Sequence, residues 1–500
     1  MCNSKMHAIF ALIVLLVSTS LGYKNPNYEE NRRTMVHLFE WKFADIADEC
    51  ERFLGPMGYA AVQVSPVQEN LIISKRPWYE RYQTMSYKIE TRSGNERLFK
   101  QMVRRCNKVG VRIFVDVILN HMTSNKIPAI GTGGSTALTT DKEYPAVPYS
   151  KVHFHKTCAL KDYSNATEVR ECELLSLHDL DQRQEYVRQK MVNFLNSLID
   201  AGVAGFRIDA AKHMYPEDLE IIYGRLKDLI PGQGFPKKSR PFVYQEVIDL
   251  GGESVKKSDY NKTATVVEFL FGRILGDAFR GIRQLRELET WGDSLWGLLP
   301  SRDAVVMIDN HDNQRGHGAG GSSILTYKTP KQYKMAVAFM LAHPYGFARV
   351  MSSFDFNDTN AGPPNDSQEN ILSPIINTGG TCTNGWVCEH RWPQIYNMVA
   401  FRNVVADAAI TNWWTNDDDQ VAFSRGNKGF VAFNNGNTAL RRWLTTGLSA
   451  GRYCDVISGM LSGGRCTGKT IDVNENSLAL IEILPNDLDG VVAIHGKAKL

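Results

Sequence analysis

Eight short runs rich in β-branched and aromatic residues recur along this chain, with helical periods between them, and that alternation restricts the fold more than any other feature. The runs are Met35–Glu40, Ala60–Ser65, Val111–Val117, Val203–Asp209, Phe242–Glu246, Val266–Phe271, Ala304–Asp309 and Phe347–Ser352. Between the first two, Ile46, Cys50, Phe53 and Leu54 share one helix face, and Gly55-Pro56 stops the helix. Leu98, Phe99, Met102, Val103 and Cys106 form a second stripe ending at Gly110; Val187, Met191, Phe194, Leu195 and Leu198 form a third ending at Gly202. The pattern predicts an α/β fold of the (β/α)8 TIM-barrel type, with reactive residues at the C-terminal ends of the strands. A doubly wound open sheet shares the alternation and stays open on pattern alone.

Two stretches depart from the alternation. Residues 121–180, after the third strand, are too long for a simple βα loop and rich in Gly, Thr, Tyr and Pro, which predicts an inserted loop-rich subdomain. After about Asn416 the helical period is lost; Gln420–Ser424, Gly429–Asn434 and Leu478–Leu484 read as strands between Gly/Asn turns. The expected organisation is barrel over 23–120 and 181–415, insert over 121–180, and a C-terminal antiparallel β-sandwich domain over 416–500.

Residues 1–22 carry Lys5, an apolar run from Ala8 to Val17 and a small-residue stretch to Gly22, the pattern of a secretory signal peptide and too short to span a bilayer. Eight cysteines remain beyond it: Cys50, Cys106, Cys158, Cys172, Cys382, Cys388, Cys454 and Cys466. The spacings suggest local bridges Cys158–Cys172, Cys382–Cys388 and Cys454–Cys466, leaving Cys50 for Cys106. A zinc site from Cys158, Cys172, His153 and His155 is the rival, but its spacing fits no zinc pattern. Asn165, Asn261, Asn357 and Asn365 head glycosylation sequons. A net charge of +3 argues against a polybasic nucleic-acid binder, and no later stretch is apolar for long enough to cross a membrane.

Polar residues on the buried strands concentrate at their C-terminal ends. Arg207 and Asp209 share one face of the fourth strand; Glu246 ends the fifth; Asp309, Asn310, His311 and Asp312 follow the seventh. A single such pair would be a structural ion pair, but carboxylates converging from three strands exceed what packing needs. Two kinds of chemistry use such a cluster: retaining glycoside cleavage, with one carboxylate as nucleophile and one carboxylic acid as proton donor, and metal-assisted phosphoester hydrolysis.

The segments Val115-Asp-Val-Ile-Leu-Asn-His121, Gly205-Phe-Arg-Ile-Asp-Ala-Ala-Lys-His213, Tyr244-Gln-Glu-Val-Ile-Asp249 and Ile308-Asp-Asn-His-Asp312, in this order and spacing, resemble animal-type, chloride-dependent α-amylases. The likeness runs over essentially the whole chain after the leader. It implies Asp209 as nucleophile, Glu246 as general acid/base and Asp312, rather than Asp309, as transition-state stabiliser. His121 and His311 match histidines that hydrogen-bond the sugar at the cleavage point. Trp78, Tyr79, Tyr82 and Gln83 match an aromatic sugar platform, Lys212 and His213 the leaving-group side, and His317 a mobile loop near the substrate. The resemblance also implies one structural Ca2+, held by Asn120, the carbonyl of Arg170, Asp179 and the carbonyl of His213, and one activating Cl- between Arg207, Asn310 and Arg349. Gly316-His-Gly-Ala-Gly-Gly321 fits a dinucleotide fingerprint only literally, lacking the strand before it and the acidic residue after it.

Tyr79 stands where many relatives have a second tryptophan. Glu90 stands where vertebrate members have a cysteine, and residues 122–157 contain none, which leaves calcium as the expected clamp between insert and barrel. His178 beside Asp179 is unusual and suggests an influence on calcium binding at low pH. The resemblance implies a secreted endohydrolase of internal α-1,4-glucosidic bonds in starch, glycogen and maltooligosaccharides, acting as a monomer with no nucleic-acid or membrane partner. A related α-glucosidase or transglycosylase, and a non-catalytic glucan-binding subunit, are the alternatives.

Overall fold

The computed structural model describes residues 22–292 and 294–500; the expected leader therefore lies almost wholly outside the described residues. Eight strands close into a barrel: β1 (Thr34–Leu38), β2 (Ala61–Val64), β3 (Arg112–Ile118), β4 (Gly205–Asp209), β5 (Phe242–Gln245), β6 (Thr265–Val267), β7 (Ala304–Val306) and β8 (Phe347–Ser352). Every neighbouring pair is parallel, and β1 pairs with β8, so the sheet has no edge. The open-sheet alternative falls on that pairing. Gly205 begins β4 because a Cβ there would meet the Phe242 carbonyl oxygen at 2.2 Å, which only glycine avoids.

The sixth strand is shorter than the sequence predicts. It ends at Val267, and Phe269–Phe279 is a helix instead. Glu268 is the reason: its carboxylate accepts from the Leu270 N–H at the helix start and from Lys257 Nζ at 2.7 Å. A short apolar run cannot by itself distinguish a strand from a buried helix turn.

The barrel interior changes character along its axis. Phe114, Phe242 and Phe347 fill one layer with ring centroids 5.4 Å apart in successive pairs. Toward the strand C-termini the filling becomes polar: Tyr244 and Arg349 both donate to Gln63 Oε1, at 2.9 and 2.6 Å, and Arg207 pairs with Asp116. A parallel barrel can bury such groups only by pairing them, so this layer is the floor of the site.

The eight cysteines form four disulfides in the pairing that the spacings suggest. Cys50 is bonded to Cys106, Cys158 to Cys172, Cys382 to Cys388 and Cys454 to Cys466. With Cys158 and Cys172 bonded to each other, neither is a free thiolate, which removes the zinc alternative. Cys50–Cys106 ties the first two barrel helices, Cys382–Cys388 closes a tight loop after β8, and Cys454–Cys466 lies within the C-terminal part.

The insert follows β3 and returns at the helix Glu185–Asp200. Direct contacts between side chains and backbone fasten it to the segment after β2. Glu69, on the short strand Gln68–Asn70, is fully buried; it accepts from the Ser86 hydroxyl and from the Gly133 and Ser135 N–H groups, both at 2.9 Å. A Cβ on Gly131 would lie 2.5 Å from Glu69 Oε1, so the Gly131-Thr-Gly-Gly stretch is what lets that carboxylate approach.

The C-terminal part is two antiparallel four-stranded sheets. Its first strand, Ile410–Thr415, starts ahead of the expected boundary at 416. Alternation sorts its faces: Phe430, Ala432, Leu440, Leu444, Ile481 and Ile494 fill the space between the sheets, while Phe423 and Phe433 turn toward Phe339 of a barrel helix, 5.9 and 5.8 Å away. Among the described residues no helix is long and apolar enough to cross a membrane.

Candidate active site

A cavity of about 830 Å³ opens at the C-terminal ends of the strands. Asp209, Glu246 and Asp312 all line it, as do Trp78, Tyr79, Tyr82, Gln83, His121, Lys212, His213, His311 and His317. The strands explain the convergence: Asp209 is the last residue of β4, Glu246 follows β5, and Asp312 follows β7. Asp309 does not reach the cavity. It is buried and accepts from the Tyr333 hydroxyl at 3.0 Å.

Arg207 organises the floor. Its Nη1 lies 2.7 Å from Asp116 and 2.9 Å from Asp209, and its Nη2 lies 2.7 Å from Glu246 Oε1. The Glu246 contact is off the hydrogen-bonding angle, so Nη2 keeps a buried donor without a partner. Glu246 is held from the other side by the Ala210 N–H at 2.8 Å. Asp116, a residue whose role is not assigned from sequence, also receives the Tyr82 hydroxyl at 3.0 Å and so ties the floor to the aromatic Trp78–Tyr82 segment. Its sequence signal was a lone carboxylate inside an apolar strand.

Three carboxylates share one guanidinium here, and that imbalance sets their acidities. Burial first, then the Glu246 charge, pushes Asp312 up to about 7 and Asp209 well above the ordinary carboxylate range, with Arg207 opposing. The cluster therefore retains a proton near neutrality. Burial and the facing guanidinium groups of Arg207, Arg315 and Arg349, together with the His37 imidazole, keep the His311 imidazole neutral, and burial lowers His121 and His213 to about 4. These histidines are neutral hydrogen-bonding groups at physiological pH.

The aromatic wall is braced rather than loose. Trp78 Nε1 donates to the Thr359 carbonyl at 2.9 Å, and Tyr82 stacks on His311 with centroids 5.1 Å apart. Arg315 sits behind them, 4.2 Å from the Phe356 ring centroid and 5.6 Å from that of Trp78, and its Nη1 donates to the His311 carbonyl. On the opposite rim Lys212 Nζ bonds the Ile248 carbonyl at 2.6 Å and the Glu253 carboxylate. Ile248 and Gly318, from two of the stretches quoted above, also line the cavity, as do Tyr163, Leu174, Leu175, Leu177, Glu253 and Asn360, which no local sequence pattern marks. Leu175 and Ser176 both have positive φ, 51° and 64°, a conformation that costs on the order of 1 kcal/mol or more for a residue with a Cβ.

The proposed ion ligands meet two physical requirements. Asn120 Oδ1 and Asp179 Oδ1 are buried oxygens without hydrogen-bond partners, as a hard cation needs. The Leu180 N–H bonds the Asn120 carbonyl, and His213 Nδ1 bonds the Val169 carbonyl at 2.9 Å, bringing the turn with Arg170 against His213. Among the described residues no three His, Cys, Asp or Glu side chains gather for a metal, so the donor set is amide, carbonyl and one carboxylate. His178 does not face that carboxylate: it bonds Tyr144 and Asn125, while His155 holds Asp179 at 2.6 Å. For an anion, Arg349 is buried with no carboxylate in pairing distance among the described residues; its Nη1 donates to Gln63 Oε1 at 2.6 Å and its Nη2 lies against the Met307 sulfur. Burial, and to a smaller extent the nearby Arg207 charge, disfavours the charged form of Arg349.

Comparison with known proteins agrees with this geometry. Residues 51–228 match the α-amylase catalytic domain and residues 413–497 the α-amylase C-terminal all-β domain. An α-amylase from Tenebrio molitor is 56% identical over 95% of this chain and 100% of its own length. An α-amylase-related protein from Drosophila willistoni is 54% identical over 99% of each chain. The crystal structure of a mutant α-amylase I from Eisenia fetida in complex with maltohexaose has a TM-score of 0.89 and 42% identity, covering 94% of this chain and 98% of that one. On fold, site and kinship together, this chain belongs to the animal-type α-amylases and is a glycoside hydrolase.

Proposed function

We propose that the protein is a secreted endohydrolase of internal α-1,4-glucosidic bonds in starch, glycogen and maltooligosaccharides, working with retention of configuration. The observation that carries this reading is the pairing of Asp209 and Glu246 with the two terminal nitrogens of one guanidinium at the cavity floor. One guanidinium bridging both carboxylates supports the close pairing that the retaining class uses, ~5–5.5 Å between the carboxyl groups. Asp209 attacks the anomeric carbon while Glu246 protonates the departing glycosidic oxygen; Glu246 then takes a proton from water as the glycosyl–Asp209 ester is cleaved. Asp312, next to neutral His311, stabilises the positive charge that develops on the sugar. Trp78, Tyr79, Tyr82, Gln83 and His121 bind the chain on the platform side, Lys212 and His213 hold the leaving portion, and His317 closes on the sugar. Four disulfides fit an oxidising compartment, and we infer a monomer.

Asn120, Asp179 and the carbonyls of Arg170 and His213 would hold a calcium ion whose contribution is to pin the insert to the barrel. Chelation should lower the melting temperature by ~10 °C, restored by added calcium; a melting curve indifferent to EDTA would remove calcium from the reading. Arg207, Asn310 and Arg349 would hold a chloride ion that offsets two buried cations beside the carboxylates. Arg349→Gln should weaken activation by chloride several-fold, measured as kcat/KM against chloride concentration. The same response as wild type would sink that assignment.

The deciding experiment is incubation with soluble starch, with and without chloride and a chelator, followed by reducing-end release and product sizing. Mixed internal fragments support the reading. Glucose alone from chain ends would favour an α-glucosidase, and no release under any condition a glucan-binding subunit.

A further inference from the structure

Glu40, two residues past the end of β1, is a buried carboxylate with φ 65°. A residue with a Cβ keeps that left-handed backbone only where its surroundings impose it. Its N–H donates to Ser65 Oγ at 2.9 Å, and its Oε2 accepts from Arg81 Nη2 at 2.8 Å. Arg81 is buried as well and also donates to Ser93 Oγ at 2.7 Å, the Pro66 carbonyl at 2.9 Å and Thr91 Oγ1 at 3.3 Å. Among the described residues Glu40 is the one carboxylate in pairing distance of Arg81. Neither of them lines the cavity.

Their placement reaches the cavity all the same. Arg81 lies inside the 3-10 helix Trp78–Tyr82, whose Trp78, Tyr79 and Tyr82 face the cleft. The Tyr82 carbonyl accepts from His121 Nε2 at 3.0 Å, its hydroxyl bonds Asp116, and its ring stacks on His311. Glu40 also acts on a second cation. Burial lowers Arg315 to about 10, and the charges of Asp312, Tyr327 and Glu40 oppose that fall. Arg315 stands 5.6 Å from the Trp78 ring centroid, so the one anion serves two buried guanidinium groups that brace the same aromatic wall. A buried ion pair adds little net stability, because desolvating both charges offsets their attraction; what it fixes is geometry.

We propose that Glu40 is a positioning residue of the cleft, which through its ion pair with Arg81 sets where the Trp78–Tyr82 helix stands and so where Tyr82 and His121 meet a bound glucan chain. The proposal rests on the reading that the cavity cleaves α-1,4-glucan.

The test compares three variants of the full chain. Glu40→Gln keeps an oxygen for Arg81 and removes the charge. Arg81→Lys keeps the charge and loses the fork that reaches four acceptors. Asp303→Asn is the structural control: it breaks the buried Lys24–Asp303 pair just ahead of β7, at the barrel end opposite the cavity. Kinetics on maltoheptaose are measured at a temperature where circular dichroism shows each variant folded. Glu40→Gln should raise KM ~10-fold and lower kcat ~3-fold, Arg81→Lys should raise KM ~5-fold, and Asp303→Asn should lose melting temperature with both constants within twofold of wild type. Kinetics of Glu40→Gln within twofold of wild type, or of Asp303→Asn moving as far as those of Glu40→Gln, overturn the proposal. Should Glu40→Gln fail to fold, Arg81→Lys carries the test, and a KM within twofold of wild type overturns it. If the wild type does not cleave maltoheptaose, the glucan reading of the cavity fails and this inference with it; cleavage that ignores residue 40 sinks only the inference.

Discussion

Glu246→Gln is expected to lower kcat on starch by about 10³–10⁴-fold while leaving maltooligosaccharide affinity largely intact, because general acid–base catalysis contributes on that order. The substitution keeps the shape of the side chain and lets an amide oxygen accept from the Ala210 N–H. It removes the proton that the departing glycosidic oxygen needs. The discriminating measurement is an activated aryl maltotrioside, whose phenolate leaves without protonation: Glu246→Gln should lose far less on that substrate in its first step. Asp209→Asn, lacking the nucleophile, should lose comparably on both. Equal losses of Glu246→Gln on both substrates would remove Glu246 from the proton-donor role.

Arg207→Met should destabilise the protein by about 3–5 kcal/mol at pH 8, read from denaturant unfolding, because it strips the shared cation from buried Asp116, Asp209 and Glu246. The direction with pH follows from the raised acidities. Asp312 at about 7 and Asp209 well above its ordinary value bind protons more tightly folded than unfolded. Their stabilising contribution is complete below the unfolded value near 4 and is lost as pH rises through the folded one. Without Arg207 those folded values climb further, so the deficit of the variant should be largest above pH 7 and shrink toward pH 4. A deficit independent of pH would mean that Arg207 acts through packing alone.

The barrel was legible in the sequence because its strands are buried on both faces and therefore read as continuous apolar runs with helices between. The rim carboxylates were legible for the opposite reason, as charges where apolar residues belong. The disulfides were legible because three of the four, Cys158–Cys172, Cys382–Cys388 and Cys454–Cys466, join near neighbours in the chain. What stayed hidden depends on partners far away. Asp116 looks like any strand carboxylate until Arg207, on the neighbouring strand, and Tyr82 are placed beside it. Glu69 gave no signal because its ligands are backbone N–H groups of Gly133 and Ser135. His155, rather than the more conspicuous His178, meets Asp179, since the turn geometry and not adjacency decides which ring faces the carboxylate. The end of β6 was misplaced because the decisive group, Glu268, caps a helix through its side chain.

The seam between β1 and β8 has a consequence for how the protein is made. Residues 34–38 find their second neighbour only in residues 347–352, so a ribosome must emit about seven-tenths of the polypeptide before the ring can shut. Until then the nascent molecule presents two unpaired strands to its surroundings, a template for joining other copies. Truncation anywhere before residue 352 should therefore yield aggregates rather than a smaller working enzyme.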